Sequence, residues 1–164
     1  MRCAILTVST SLAAGQGEDL SGPALAEAAA GAGAEVVVRD VVSDDVVAIE
    51  AWLRRQVEAG TELILTTGGT GLTPDDVTPE ATLAVIEREV PGLAEAMRAE
   101  SVQYTPMAML SRAVAGVTDG SLIINFPGNP KAIAEVFGVV GPVLRHAVAT
   151  LHRQNGNSER HAGH

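Results

Sequence analysis

The chain has 164 residues, 46% of them hydrophobic but only 2% aromatic, and a formal charge of −9. That is the length of one domain with a core built mainly from Ala, Val, Leu and Ile. It excludes nucleic acid as a partner, which calls for surplus Lys and Arg or aromatic stacking platforms; an anionic ligand must be held locally by backbone N–H groups, a few cations or a metal.

Residues 3–8 form a continuous apolar run suited to a buried strand, and it ends in Ser9, Thr10 and Ser11. Cys3 is the single cysteine, so no internal disulfide or thiolate cluster is possible. The N-terminus enters this strand with no room for a signal segment, and no apolar run approaches the ~18 residues of a membrane span. A cytoplasmic protein without membrane contact is the expectation. Asp19-Leu20-Ser21-Gly22-Pro23 then opens an alanine-rich helix over 24–32, with Gly31 and Gly33 as stops. Residues 35–42 are β-branched and give a second strand. Asp44 and Asp45 begin a helix that runs through Trp52 to Glu58 and closes at Gly60.

A third strand over 63–67 completes a βαβαβ order, which predicts a parallel sheet with helices on both faces. It breaks into Thr67, Gly68, Gly69, Thr70 and Gly71, where glycines allow close backbone approach to an anion and threonines add donors. This is neither a P-loop, since Lys-Ser or Lys-Thr does not follow Gly71, nor a dinucleotide fingerprint, since a third glycine is missing. Asp75 and Asp76 follow, with Thr78 as expected N-cap and Pro79 as first helical residue. Carboxylates there suit a hard cation such as Mg2+, shared with a phosphate in the glycine loop. Taken singly, such glycines also make plain tight turns, and such aspartates plain helix caps.

A helix over 80–90 is expected to stop at Pro91, and another spans 92–103 before a break at Tyr104-Thr105-Pro106. Residues 107–110 suggest a short helical turn. Strands over 112–117 and 121–126, joined by Asp119-Gly120, read as an antiparallel edge hairpin. A second punctuated turn, Asn125-Phe126-Pro127-Gly128-Asn129-Pro130-Lys131, leads into helical sequence over 132–152, which Gly138, Gly141 and Pro142 are expected to divide in two. Lys131 is the only lysine and sits at a helix start, where a bound anion would offset its conflict with the dipole; a solvated surface lysine is the alternative. Arg112 is a second candidate cation, with a structural ion pair as its alternative. Residues 154–164 are polar and aperiodic and read as a disordered tail beyond a domain of residues 1–153; His161 and His164 read as tail residues rather than ligands.

Taken together, Asp19-Leu20-Ser21-Gly22-Pro23, Thr67-Gly68-Gly69-Thr70-Gly71 with Asp76-Val77-Thr78-Pro79-Glu80-Ala81-Thr82, Leu110-Ser111-Arg112 and Asn125-Phe126-Pro127-Gly128-Asn129-Pro130 resemble the molybdopterin adenylyltransferase family, which includes the corresponding domain of gephyrin. The likeness covers the chain to about Leu151. It implies an α/β, doubly wound, mostly parallel sheet, usually in a homotrimer, that transfers AMP from ATP with Mg2+ to the terminal phosphate of molybdopterin and releases pyrophosphate. The downstream molybdate-insertion protein is an implied partner. The family's catalytic, magnesium-binding acids fall on Asp44 and Asp76. With the reading of the residues above, the candidate substrate- and nucleotide-binding positions are Asp19, Ser21, Gly22, Thr67, Gly68, Gly69, Thr70, Gly71, Ser111, Pro127, Gly128 and Asn129 in the motifs, with Arg112 and Lys131 as the cations. One departure stands out: Asp75 occupies a place where many members carry arginine, which opens an alternative, a molybdopterin- or nucleotide-binding paralogue without transfer activity.

Overall fold

The computed structural model describes the backbone of residues 1–158 and the side chains of residues 1–153. Its elements run β1 Arg2–Val8, α1 Thr10–Ala13, α2 Ser21–Gly31, β2 Glu35–Val42, α3 Val46–Glu58, β3 Leu63–Thr67, α4 Thr78–Val85, β4 Arg88–Glu89, α5 Pro91–Val102, a 3-10 turn Pro106–Leu110, β5 Ala115–Thr118, β6 Ser121–Phe126 and α6 Pro130–Ser158. The six strands form one sheet in the order β2-β1-β3-β6-β5-β4. β2, β1, β3 and β6 are parallel, β5 runs antiparallel to β6, and β4 antiparallel to β5. The expected class, a mostly parallel α/β sheet with an antiparallel edge hairpin, is the one observed.

Alternation along the strands sorts the core into two layers. Cys3 and Ile5 of β1, Leu63 and Leu65 of β3, and Ile124 and Phe126 of β6 face Leu25 and Ala29 of α2, Met97 of α5, and the Ile133, Val136, Phe137, Val140 and Leu144 stripe of α6. Their neighbours Ala4, Leu6, Ile64 and Ile123 face Ile49, Trp52 and Leu53 of α3 and Ala81 and Val85 of α4. The chain's two phenylalanines, Phe126 and Phe137, stack with ring centroids 5.5 Å apart. Burial pushes the Cys3 thiol up to about 12, which leaves it an inert core side chain.

Several boundaries differ from the sequence expectations. The helix expected over 80–90 ends at Val85, and Arg88–Glu89 pairs with Gly116 and Val117 of β5 as a two-residue strand. Pro91 starts α5 rather than stopping its predecessor, as suits a residue whose missing N–H is idle in a first turn. Thr78 is the first residue of α4 rather than its N-cap; Val77 takes the cap position, and the Thr78 hydroxyl donates instead to the Gly68 carbonyl at 2.9 Å. The first strand of the hairpin begins at Ala115, not Arg112.

α6 is not divided: Pro142 lies inside one continuous helix. Its ring removes a bond to the carbonyl of Gly138, and both residues lie on the exposed face, where water can satisfy that carbonyl. Within Pro130–Arg153 an 18-residue window reaches a mean hydropathy of 1.4, long and apolar enough by length and composition to span a membrane, where no such segment was expected. Its apolar stripe is instead spent on the sheet. The helix continues to Ser158, five residues into the stretch read as tail, whereas residues 159–164, with His161 and His164, lie outside the described residues.

Candidate active site

The strand order reverses between β1 and β3: from β1 the chain proceeds outward to β2 and then returns to β3 on the other side. Loops leaving the carboxyl ends of these two strands diverge, and the gap between them is where open α/β sheets bind ligands. The loop after β3 comes close to the main chain on both sides. Gly68 has φ 95°, and a Cβ there would stand 2.5 Å from the Val8 carbonyl oxygen. On its other side, a Cβ on Gly128 would stand 3.3 Å from Gly68 Cα. Side-chain hydroxyls fasten these loops together. Thr67 Oγ1 donates to the Pro127 carbonyl at 2.7 Å, and Ser21 Oγ to the Gly128 carbonyl at 3.0 Å. Asp19 accepts from Thr7 Oγ1 at 2.8 Å and from the N–H of Gly22 at 2.9 Å, which anchors the start of α2 to β1.

The two aspartates singled out from sequence flank the glycine loop. Asp44 Oδ2 accepts from the N–H and the hydroxyl of Thr10, at 3.0 and 2.8 Å, while Oδ1 stands 3.4 Å from where a Cβ on Gly69 would lie. Asp45 is the residue that caps α3, accepting from the N–H of Val47 at 3.1 Å, so Asp44 is left to the site. Asp76 Oδ2 accepts from the N–H and hydroxyl of Thr73, at 3.0 and 2.9 Å, and stands 2.8 Å from a Cβ built on Gly71. Each carboxylate is thus oriented through one oxygen, and its other oxygen has no protein donor among the described residues. Between them, the N–H groups of Gly69, Thr70 and Gly71 have no protein acceptor among the described residues. Three consecutive unpaired N–H groups are donors available to an anion.

Arg112 braces this loop from below. Its Nε donates to the Gly71 carbonyl at 2.8 Å, Nη2 to the Asp76 carbonyl at 2.6 Å, and Nη1 to the Glu80 carboxylate. Its own N–H donates to the Thr70 carbonyl at 2.9 Å. The bond from Arg112 holds the Glu80 carboxyl below its usual range. The ion pair weighed as the alternative for Arg112 is present: Glu80 matches its charge, and Nε and Nη2 hold the loop.

A cavity of about 270 Å³ opens beside the loop; of the binding candidates, Thr70, Gly71, Ser111, Pro127 and Asn129 line it, and Asp44 and Asp76 do not. Lys131 does not: it lies exposed on the first turn of α6, where Asn129 Oδ1 caps the helix by accepting from the N–H of Ala132 at 2.8 Å. Three contributors escaped the sequence reading. Thr10, which orients Asp44, lies in the Ser9-Thr10-Ser11 break and was within reach of it. Arg98 lines the cavity from inside a helical pattern that gives it no distinguishing signal. Asn125, fully buried, donates through Nδ2 to Thr66 Oγ1 and Thr82 Oγ1, both at 3.0 Å, and accepts the N–H of Val114 at 3.2 Å. It ties β6 to β3, to α4 and to the segment that leads into β5.

These features define an α/β domain with three consecutive unpaired main-chain N–H groups and two oriented carboxylates at its topological switch point. Residues 4–146 match the family model described as "probable molybdopterin binding domain". The chain is 39% identical over 156 residues to the molybdopterin adenylyltransferase of Escherichia coli K12, covering 90% of this chain and 80% of that protein. It is 43% identical over 123 residues to gephyrin of Dictyostelium discoideum, covering 75% of this chain but 17% of that protein. Among solved structures, the molybdopterin biosynthesis enzyme MoaB of Thermus thermophilus superposes with a TM-score of 0.86 at 47% identity, covering 92% of this chain and 95% of that one. The chain spans only 17–46% of the length of the longer curated relatives it matches. The chain belongs to the molybdopterin-binding domain family of molybdenum cofactor biosynthesis proteins.

Proposed function

We propose that this domain acts in molybdenum cofactor biosynthesis as a molybdopterin adenylyltransferase, moving AMP from ATP to the terminal phosphate of molybdopterin with release of pyrophosphate. The observation that carries the reading is the row of unpaired N–H groups at Gly69, Thr70 and Gly71 between two oriented, half-free carboxylates. Relatives that bear this activity in their names support it.

The donor set suits magnesium. Among the described residues no three His, Cys, Asp or Glu side chains cluster as a metal cage, but Mg2+ uses one or two carboxylates and takes substrate phosphate oxygens and water for the rest. Asp44 and Asp76 would hold it, and when bound it would neutralise charge that develops on the departing pyrophosphate. The chain's own residues do the positioning. The N–H groups of the glycine loop receive phosphate oxygens, Thr10 and Thr73 fix the two carboxylates, and Arg112 keeps the loop from shifting under the charge. A phosphate monoester is already an anionic nucleophile at neutral pH, so no general base is required; alignment and electrostatic screening supply the rate.

The test is pyrophosphate release by purified protein given molybdopterin, Mg2+ and ATP. Asp76→Asn is expected to keep the bonds from Thr73 and the fold while turnover falls at least a hundredfold, and Asp44→Asn to do the same. Normal turnover in either folded variant would remove that residue from the mechanism. A second reading rests on Asp75, an exposed carboxylate next to Asp76: a binding module that holds molybdopterin or nucleotide without transfer, in which case both ligands bind and no pyrophosphate appears. The reading also carries a cytoplasmic homotrimer that passes its product to the molybdate-insertion protein, which sedimentation and co-purification would check.

A further inference from the structure

Arg98 is the cation that the cavity presents. It projects from α5, and its Nη1 donates to the main-chain oxygens of Ser111, at 3.3 Å, and Ala113, at 2.8 Å, which fixes the plane of the guanidinium. Nε and Nη2 have no protein acceptor, and no carboxylate lies within ion-pair distance, among the described residues. No buried side-chain nitrogen among those residues lacks a partner, so these two unpaired nitrogens are accessible to solvent, on a residue that lines the cavity. The contrast with the other two candidate cations is direct: Arg112 is neutralised by Glu80, and Lys131 is exposed off the cavity wall. Glu135 shares the wall with Arg98 without pairing to it, so the cavity has a cationic part beside Ser111 and an anionic part beside α6.

A half-buried guanidinium held on neutral carbonyls, with two donors idle, keeps its full charge and a fixed fork, which is the arrangement that binds a phosphate oxyanion. We infer that Arg98 binds and positions a phosphate group of one substrate in the cavity that Thr70 and Gly71 of the glycine loop also line. This rests on the adenylyltransferase reading only for the identity of the two substrates; oxyanion binding by Arg98 is read without turnover.

Both substrates carry phosphates, and separate titrations distinguish them. Mg2+-ATP, molybdopterin and inorganic pyrophosphate are titrated into wild type, Arg98→Met and Arg98→Lys, with thermal midpoints and a salt series alongside. Arg98→Met is expected to weaken one substrate about tenfold or more and to flatten the salt dependence of that binding, while Arg98→Lys, which keeps the charge, retains more affinity than Met. Weakened ATP and pyrophosphate places the nucleotide's phosphates at Arg98; weakened molybdopterin alone places the pterin's phosphate there. Arg98→Gln, which keeps an N–H for the Ala113 carbonyl, replaces Met if the latter unfolds. Unchanged affinity for all three probes in a folded variant, or a salt-independent loss that merely follows the thermal midpoint, overturns the assignment. If wild type binds both substrates but releases no pyrophosphate, the transfer reading fails and the Arg98 result stands by itself.

Discussion

Truncating Asn125 to alanine tests whether the site is held from within the sheet. The substitution deletes three hydrogen bonds in a fully buried position and leaves the N–H of Val114 and the hydroxyl of Thr66 short of a partner. A buried polar group left unsatisfied costs about 1–3 kcal/mol, and the lost side-chain volume adds a cavity term, so about 3–4 kcal/mol is expected for Asn125→Ala. For a domain of this size that lowers the thermal midpoint by roughly 6–16 °C. Asn125→Asp sharpens the case. The Thr82 hydroxyl already donates to the Thr78 carbonyl at 2.8 Å, so a carboxylate oxygen in place of Nδ2 would face a lone pair rather than a donor. That variant should be less stable than Asn125→Ala at pH 7 and should recover part of the difference near pH 5, where a buried carboxyl can protonate. Urea denaturation at both pH values measures the two variants. A loss below about 1 kcal/mol for Asn125→Ala would refute the account of Asn125 as the tie between β6, β3 and α4.

Three other outcomes are expected. Gly68→Ala combines a left-handed φ, which costs about 1–3 kcal/mol, with a methyl group pressed on the Val8 carbonyl; urea titration should show a loss at or above the top of that range. Glu80→Gln removes the partner of Arg112. Because the folded-state pKa of Glu80 lies below its ordinary 4.5, its stabilisation is fully present above that value and fades as pH falls through the folded pKa. The stability gap between wild type and Glu80→Gln should therefore be constant from pH 6 to 8, close at acid pH, and shrink in high salt because the pair is half exposed. Thr10→Val should leave stability within about 1 kcal/mol of wild type while raising the KM for Mg2+-ATP several-fold, since Asp44 loses its orienting hydroxyl; an unchanged KM would separate Thr10 from the site.

The strand ends were legible because glycine, threonine and aspartate after short apolar runs leave few options for the backbone. Residues 35–42 and 63–67 were bounded as observed, and the Asp119-Gly120 turn was marked by a dipeptide that favours two positive φ values, found at 47° and 82°. β4 was not legible, because two residues form a strand only where a neighbouring strand accepts them; their own sequence reads as the end of a helix. Nor was the continuity of α6, since Pro142 and the glycines break helices on average; Gly138 and Pro142 face solvent here and Gly141 packs against the Phe137 ring, placements that only packing determines. In the site, Arg98 carried no signal, and Asn125 stood in the turn motif without any mark of its role as a tie: both roles depend on what lies across the fold. Asp19, Ser21 and Thr67 were picked as binding residues, and the structure engages all three in fastening loops to one another.

The two borders of the sheet are unlike. β4 ends one border with two charged residues, Arg88 and Glu89, too short to template a further strand. β2 ends the other with eight residues and with Val37 and Val41 partly exposed along it. Its protection is ionic: Glu35, Arg39 and Asp40 punctuate the run, and Asp40 is pinned by the indole N–H of Trp52 at 2.7 Å. Colloidal behaviour therefore hangs on a few side chains remote from any chemistry. Losing the charge at Arg39 would leave Val37 and Val41 flanked by fewer charges and favour edge-to-edge association at this border.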